Sequence, residues 1–530
     1  MSATPLFAAG ELVSVDPATL REVGRVVATE PEAIGEIVAE ARMAQERWAR
    51  EPFEQRSRVL RGVARALLDA GEEIAETIVA ETGKPIVEAY TSELFVCLDN
   101  LIWLASHLGR VLRPERVPMP QLHVRHKSAS LRYEPAGVIG IISAWNFPLG
   151  VPLTQAATAV AAGNAAVVKP SELTPLTGAW VEELFRRAGA PAGLVRIVQG
   201  PGETAGDAIV RQRGIHRVVF TGSSDAGRAV ARRAAERLCP VTLELGGKDP
   251  MLVLDDADLE RAVEGALWAS FSNCGQVCSG VERIYVDASL YEPFVARLGE
   301  RARALRIGRG SDPRTDLGPL VTEMQRARVE ELVADAVERG AAVVSGGGRP
   351  PLGLPGWFLE PTVLAEVPAD ARVHAEEIFG PVVIVASMEN ESDGIRRANA
   401  SRFGLGASVW TRDRQRGRRV AEQLEAGSVW MNDHAYSYGA CQAPWGGRKE
   451  SGYGRTHSKH GLYEMSQVKY TDADRGRLTP PWWYPYSEEV VDGFRGALGA
   501  LYGDGVRGRA AALVAHRHGL VALGRRALRR

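Results

Sequence analysis

The chain has 530 residues, 45% of them hydrophobic and 24% charged, with 64 Lys and Arg against 65 Asp and Glu. That length asks for more than one hydrophobic core, the composition is that of an ordinary globular protein, and a formal charge of −1 gives no global attraction for nucleic acid. Five cysteines, Cys97, Cys239, Cys274, Cys278 and Cys441, form an odd, sparse set that does not read as a disulfide framework and fits a reducing, cytoplasmic compartment.

In chain order, the N-terminus lacks a basic start followed by a sustained apolar core, so it does not read as a secretory signal. The first third reads as helical. Residues 31–50 place Ile34, Ile37, Val38 and Ala41 on one face, and 53–82 and 85–108 continue that spacing. Between Glu134 and Lys169 there is no charged residue, enough length for a membrane span. Pro135, Asn146, Pro148, Pro152, Gln155 and Asn164 interrupt it, and it reads as buried α/β interior around a loop. Apolar runs at 137–142, 165–169, 194–199, 216–221 and 241–245 read as strands. Helical patterns at 177–189 and 224–238 lie between them, which implies a parallel sheet covered on both faces. After Gly246-Gly247 the pattern resumes. Strands are expected at 251–255, 282–287, 341–347 and 407–411, a helix at 258–273 with Asp258 near its start, and a surface loop at 346–356.

Three segments carry the chemistry. In FSNCGQVCSG (271–280), Cys278 follows a helical run and a Gly-Gln pair, at a turn able to present a thiol to a cleft. Cysteine is the best neutral-pH nucleophile among side chains when some thiolate is available; a buried structural cysteine has the same local signature. In LELGGKDP (243–250), Glu244 ends an apolar strand before two glycines. Strand C-termini border the ligand crevice of open α/β sheets, where a carboxylate that reaches water acts as a general base; a solvated strand end is the plain alternative. HRVVFTGSSDAG (216–227) places Gly222, Ser223 and Gly227 around a helix start. It lacks the G-x-G-x-x-G fingerprint, yet a helix N-terminus offers free N–H groups and a positive dipole end to a pyrophosphate.

ELGGK (244–248) and FSNCGQVC (271–278) resemble the two signature segments of the aldehyde dehydrogenase superfamily, with Cys278 34 positions after Glu244. SAWNFPLG (143–150), VVKPSELTP (167–175), VFTGSSDAG (219–227), EEIFGPV (376–382), FGLGASVWT (403–411) and PWGGRKESGYGR (444–455) also occur in family order. The resemblance covers residues 10 to 475 or so. It implies oxidation of an aldehyde to a carboxylic acid with NAD(P). Cys278 attacks the aldehyde, the Asn146 amide and the Cys278 backbone N–H hold the developing oxyanion, hydride leaves to the nicotinamide, and Glu244 activates the water that hydrolyses the thioester. A coenzyme A-acylating enzyme and a catalytically idle structural or membrane-bound homologue are the competing readings. Glu244 speaks against the first, and intact Cys278, Glu244 and Asn146 against the second. By the same resemblance Ser223 meets the pyrophosphate, Lys169 and Glu172 the adenosine ribose with Trp145 beside it, and Glu377 and Phe379 the nicotinamide ribose and ring. The Glu172 carboxylate repels a 2′-phosphate, so NAD is expected over NADP.

The fold implied is α/β: a Rossmann-like dinucleotide-binding domain (1–116 and 136–247), an α/β catalytic domain (248–458), and a small β oligomerisation element (117–135 with 459–474) of a homodimer or homotetramer. VRHKSASLRYEP (124–135) itself reads as strand. Phe147, Gly150, Thr154 and Trp445 are expected along the substrate tunnel, where small Gly150 and Thr154 leave room for medium or bulky apolar aldehydes. Cys274 reads as a wall residue or a reversible disulfide partner of Cys278, and no second ligand cluster accompanies this pair to suggest a metal. His434 and Cys441 read either as the substrate mouth or as polar loop residues. A C-terminal extension (475–530) lies beyond the family core. Its last part, 505–530, has Arg507, Arg509, Arg517, Arg525, Arg526, Arg529 and Arg530 with no acid. Leu513, Leu520, Val521 and Leu528 are placed to share a helix face. The segment reads as lying on an anionic membrane surface or as a helix packed on the protein.

Overall fold

The computed structural model describes residues 7–8, 10–434, 438–476 and 479–528. They divide into two compact units, 1–113 with 133–467, and 114–132 with 468–530.

The uncharged run of the first unit resolves into the strand Val138–Ile142, the helix Gly150–Ala161 and the strand Ala165–Lys169. Every residue of all three is buried. Elements covered on all sides need no polar alternation, which is why the run has none. The two strands belong to a six-stranded sheet ordered Gly452–Tyr453, Val241–Glu244, Arg217–Thr221, Val138–Ile142, Ala165–Lys169, Val195–Ile197. All neighbours are parallel except the pairing of the short Gly452–Tyr453 strand. In chain order this sheet begins at Val138–Ile142, grows to one side, then returns to grow to the other. The order therefore reverses between Val138–Ile142 and Arg217–Thr221, and at such a reversal the loops leaving the strand C-termini part and open a crevice.

A second sheet of seven strands runs Ala342–Ser345, Thr362–Ala365, Val382–Met388, Val281–Asp287, Asp249–Val253, Gly406–Trp410, Ser428–Met431. It is parallel apart from Ala342–Ser345. Each sheet has its own core, one centred on residues such as Ile141, Val160 and Val219 and the other on Val253, Ile284 and Ile384. The two α/β sheets realise the expected fold class.

Several expectations are corrected. The N-terminal third is not wholly helical: Phe7–Ala8, Glu11–Val15 and Glu22–Val27 form an antiparallel sheet. Glu22–Val27 has no fully buried residue, so it lacks the inside–outside alternation that marks a strand. The helix over 53–82 breaks into Phe53–Asp69 and Gly71–Thr82, with Ala70 at non-helical φ −103°, ψ 11°. The run over 85–108 extends to Val111 and contains a π-turn at Tyr90–Leu94. Ile86–Val111 is long and apolar enough to cross a bilayer; its Cys97, Leu101, Leu104 and Leu108 are buried in the first core.

In the second unit, Lys127–Pro135 is the central strand between Glu115–Val117 and Ser466–Asp474. His126 and Lys127 contact Asp474 and Asp472 at 3.2 and 3.0 Å. Helices Glu488–Tyr502, Gly505–Ala515 and Arg517–Ala527 follow. The chain is non-helical at His516 (φ −110°, ψ 23°), so Leu513 lies on a different helix from Leu520 and Val521, and the four apolar residues do not share one face. Arg529 and Arg530 lie outside the described residues.

Candidate active site

The loops that leave the sheet reversal carry Ala144, Trp145 and Asn146 on one side and Gly222 and Ser223 on the other. All five line a cavity of about 440 Å³. Cys278, Glu244, Phe147, Glu377, Phe379 and Trp445 line the same cavity, so residues up to about three hundred positions apart in the chain meet at one crevice.

The nucleophile segment is an unusual piece of backbone. The helix Leu259–Phe271 starts at Asp258, whose carboxylate accepts the Arg261 N–H. It ends at Phe271, short of the expected 273. A single 3₁₀ turn, Ser272–Gly275, follows, in which Asn273 and Cys274 have φ of 49° and 56°. Two successive non-glycine residues at positive φ are strained, and outside contacts hold them. The Asn273 N–H donates to both Glu88 carboxyl oxygens at 3.0 and 2.9 Å. The Asn273 amide donates to the carbonyls of Asn146 and Gln276, each at 3.1 Å. Gly275, itself at φ 69°, packs so that a Cβ would stand 2.0 Å from the Gly380 carbonyl oxygen. Beyond Cys278, the Nε2–H of buried His434 donates to the Ser279 carbonyl at 2.7 Å. The Asn146 side-chain amide donates to the Gln276 carbonyl at 3.0 Å, two residues from the thiol.

Burial and the nearby carboxyls of Asp249, Glu377 and Glu244 raise the Cys278 thiol well above its ordinary value. An approaching base or cation is therefore needed to give thiolate. Burial also raises the Glu244 carboxyl, against the opposing Arg455 charge. Its Oε1 has only a long 3.4 Å contact from the Thr456 hydroxyl, and its Oε2 receives no hydrogen bond from any described residue. A carboxyl kept this lightly solvated in a cavity wall binds a proton more tightly than an exposed one, the property a general base needs.

The other half of the cavity fits a dinucleotide. Ser223 caps the helix Ser224–Ala235 by accepting the Ala226 N–H while also lining the cavity. A Cβ at Gly222 would stand 2.7 Å from the Phe220 ring. Trp145 and Phe379 meet edge to face with centroids 5.5 Å apart. Glu377, pushed up to about 8 by burial, accepts the Gly247 N–H at 3.0 Å. It can lie there because a Cβ at Gly246 would be 2.2 Å from its Oε2. Behind this wall a buried Lys248–Glu282 pair holds the loop, with Glu282 accepting the Ile378 and Phe379 N–H groups. Lys169 and Glu172 pair at 2.5 Å at the end of Ala165–Lys169, outside the cavity lining. Gly227 also lies outside it, packed against Leu245.

Of the residues expected along the tunnel, Phe147 and Trp445 line the cavity. Val151 and Gln155 line the cavity, and Gly150 and Thr154 do not. The Gly150 N–H is taken by Glu93, and the Thr154 hydroxyl donates back to the Gly150 carbonyl at 2.7 Å. Thr154 acts on the cavity only at second hand, through a 3.4 Å contact with the Tyr438 hydroxyl. Cys274 is buried in the second core rather than in the cavity wall, and burial with the Glu88 carboxyl raises its thiol. His434 is a buried strut, lowered to about 4 by burial. Cys441 is buried and absent from the lining. Among the described residues no group of His, Cys, Asp and Glu has a metal-binding arrangement. Lys84, Glu88, Glu93, Asn273 and Glu282 went unread in the sequence. The site groups they hold, such as Asn146 for Lys84 and Asn273 for Glu88, lie far along the chain; the local signal was Asn273 and Gln276 inside the cysteine segment.

The family model for the aldehyde dehydrogenase family matches residues 8–471. A betaine aldehyde dehydrogenase of Sinorhizobium fredii is 37% identical over 470 residues, 88% of this chain and 95% of that protein. Betaine aldehyde dehydrogenase 1 of Rhizobium meliloti is 38% identical over 477 residues, 90% and 96% of the two chains. An NAD+ complex of the Bacillus cereus aldehyde dehydrogenase superposes with a TM-score of 0.84 at 36% identity, covering 88% of this chain and 94% of that one. An NADP-dependent enzyme of E. coli gives 0.84 at 35% identity, covering 88% and 95%. With the motifs, the paired α/β sheets and these likenesses together, the chain belongs to the aldehyde dehydrogenase family, enzymes that oxidise aldehydes with NAD or NADP.

Proposed function

We propose that this chain converts an aldehyde to its free carboxylic acid through a thioester on Cys278. The observation that carries this reading is the convergence of Cys278, Asn146 and Glu244 on one cavity. The Cys278 sulfur attacks the aldehyde carbon, and the thiol proton passes to a carboxylate of the site. The Asn146 amide and the Cys278 backbone N–H bind the oxyanion that forms. NAD(P)+, when bound, supplies the hydride acceptor that turns the thiohemiacetal into a thioester. Glu244 then takes a proton from water, hydroxide adds to the thioester carbon, and Cys278 leaves. The dinucleotide-binding part is assigned to 1–116 with 136–247 and the catalytic part to 248–458. Cys278→Ala should abolish even a single turnover. Glu244→Gln should give a burst of NADH and an acylated Cys278 peptide, followed by a steady rate slower by ~10²–10⁴-fold, and coenzyme A should not restore it. In the wild type the hydrolytic rate should rise with pH, because burial leaves Glu244 protonated in acid. Near-wild-type turnover by either variant refutes the assignment.

NAD is the preferred cofactor in this reading. Burial alone would raise the Glu172 carboxyl, but the Lys169 ammonium outweighs it and holds the group below the usual carboxylate range. A fixed negative charge at the ribose site repels a 2′-phosphate. Wild-type kcat/KM should be higher with NAD, and Glu172→Gln should shift the ratio toward NADP by about tenfold, the ~1.4 kcal/mol scale of one screened charge contact. Higher kcat/KM with NADP in the wild type overturns this.

The substrate is a medium or bulky aldehyde. Phe147, Val151, Trp268, Tyr438 and Trp445 give the cavity a large aromatic and aliphatic surface, more than a two-carbon aldehyde can cover. Relatives named for betaine aldehyde make that compound part of the test, since aromatic faces also attract quaternary ammonium groups. In a panel of acetaldehyde, hexanal, benzaldehyde and betaine aldehyde, acetaldehyde should have the lowest kcat/KM. If acetaldehyde is best, the size argument fails.

We further assign assembly into a homodimer or homotetramer to 117–135 with 459–474, and contact with anionic lipid to 505–530. Arg507, Arg509, Arg517, Arg525 and Arg526 are there without a described acid, beside exposed Val506, Leu513 and Val514. Basic residues near headgroups contribute ~1 kcal/mol each. Light scattering of the full chain should give two or four subunits, and vesicles of phosphatidylglycerol should bind it where phosphatidylcholine does not. A monomer mass removes the first assignment, and equal, negligible vesicle binding removes the second.

A further inference from the structure

The Asn146 loop is held by a pair of charges that the reaction itself does not use. Lys84 and Glu93 have fully buried side chains and pair at 2.7 Å between Nζ and Oε1. The Lys84 ammonium also donates to the Asn146 carbonyl at 2.8 Å and stands 4.5 Å from the centroid of the Phe147 ring. Its three protons thus have a carboxylate, a carbonyl and an aromatic face to meet. The second oxygen of Glu93 accepts the backbone N–H groups of Leu149 and Gly150 at 3.0 and 2.7 Å. Those are donors at the start of the helix Gly150–Ala161, where a negative charge is favoured by the helix dipole. Glu93 reaches this position from the π-turn Tyr90–Leu94, an irregularity found often at functional sites.

A buried ion pair is poor value as stabilisation, since desolvation offsets much of the attraction. What this pair does is fix a short stretch of chain from both ends: Lys84 grips residue 146, and Glu93 grips 149 and 150. The Asn146 carbonyl that receives Lys84 also receives the Asn273 amide, so one oxygen ties the loop to the nucleophile segment. With its carbonyl clamped, the Asn146 side chain is aimed at the Gln276 carbonyl, beside the thiol it must serve.

We propose that Lys84 and Glu93 are the positioning pair of the oxyanion-binding amide, acting on the reaction solely through Asn146. This rests on Asn146 having the oxyanion role given above. Removing one oxyanion donor costs ~10²–10³-fold in rate, and a residue that acts only by aiming that donor adds little once the donor is gone. The experiment is a double-mutant cycle on the full chain, read as the rate of the NADH burst, with NAD affinity measured separately by fluorescence titration. Lys84→Met and Glu93→Gln should each slow the burst by roughly tenfold or more and leave NAD affinity within about twofold. Lys84→Arg, which keeps the charge and the donors, should recover part of the loss. In an Asn146→Ala background neither change should slow the burst further. Multiplicative losses in that background overturn the proposal, as does an unchanged burst in the single variants. If Lys84→Met does not fold, Glu93→Gln carries the cycle alone. A full-rate burst from Asn146→Ala itself would instead remove the oxyanion role on which the proposal rests.

Discussion

Two adjacent left-handed residues, Asn273 and Cys274, create the demand that the surrounding structure meets. A chain bent this way does not hold itself, because neither residue is glycine and each sits in a sparsely populated region. Glu88 takes the Asn273 N–H, Asn146 and Gln276 take its amide, and the bare backbone of Gly275 lies against Gly380. His434 fixes the far side at Ser279. The result is a turn that carries Cys278 into the crevice opened by the sheet reversal, beside the fully buried strand Val138–Ile142.

The same economy explains the charges. The site has several ionisable groups in a poorly hydrated interior, and two buried ion pairs prop its loops. Lys248 with Glu282 props the loop of Glu377 and Phe379, and Lys84 with Glu93 props that of Asn146. Cys278 and Glu244, whose protons have to move in the proposed chemistry, have no such counter-charge in contact, and buried Asp249 beside them is likewise left without a hydrogen bond to its side chain. An ion pair that holds geometry and a lone group that holds reactivity are built from the same burial, and they differ only in whether a counter-charge stands beside them.

What was legible in the sequence follows from where each signal resides. The strands around the first crevice were readable because each is a short apolar run bounded by helical segments. Cys278, Glu244, Asn146 and Ser223 were readable because each sits in a compact motif whose neighbours are also in contact with the site. On a helix as fully buried as Gly150–Ala161, polar and apolar positions are covered alike, so the residue pattern does not separate Gly150 and Thr154 from Val151 and Gln155, which line the cavity. Lys84 and Glu93 escaped for the opposite reason. Their meaning lies in Asn146, Leu149 and Gly150, more than fifty residues away, and a lysine before a proline carries no sign that it will be buried. In the N-terminal sheet, the strand Glu22–Val27 went unseen because it buries no residue fully.

The carboxyls around the cavity have one further consequence. Burial lifts Glu88 to about 7 and Asp249 and Glu377 to about 8, whereas in an unfolded chain all three would titrate near 4. Between those limits the native chain holds protons that the unfolded chain has released. Folding around this cavity is therefore coupled to proton uptake, and these three groups subtract from stability as pH rises from about 4 toward 8, the reverse of the usual paired carboxylate.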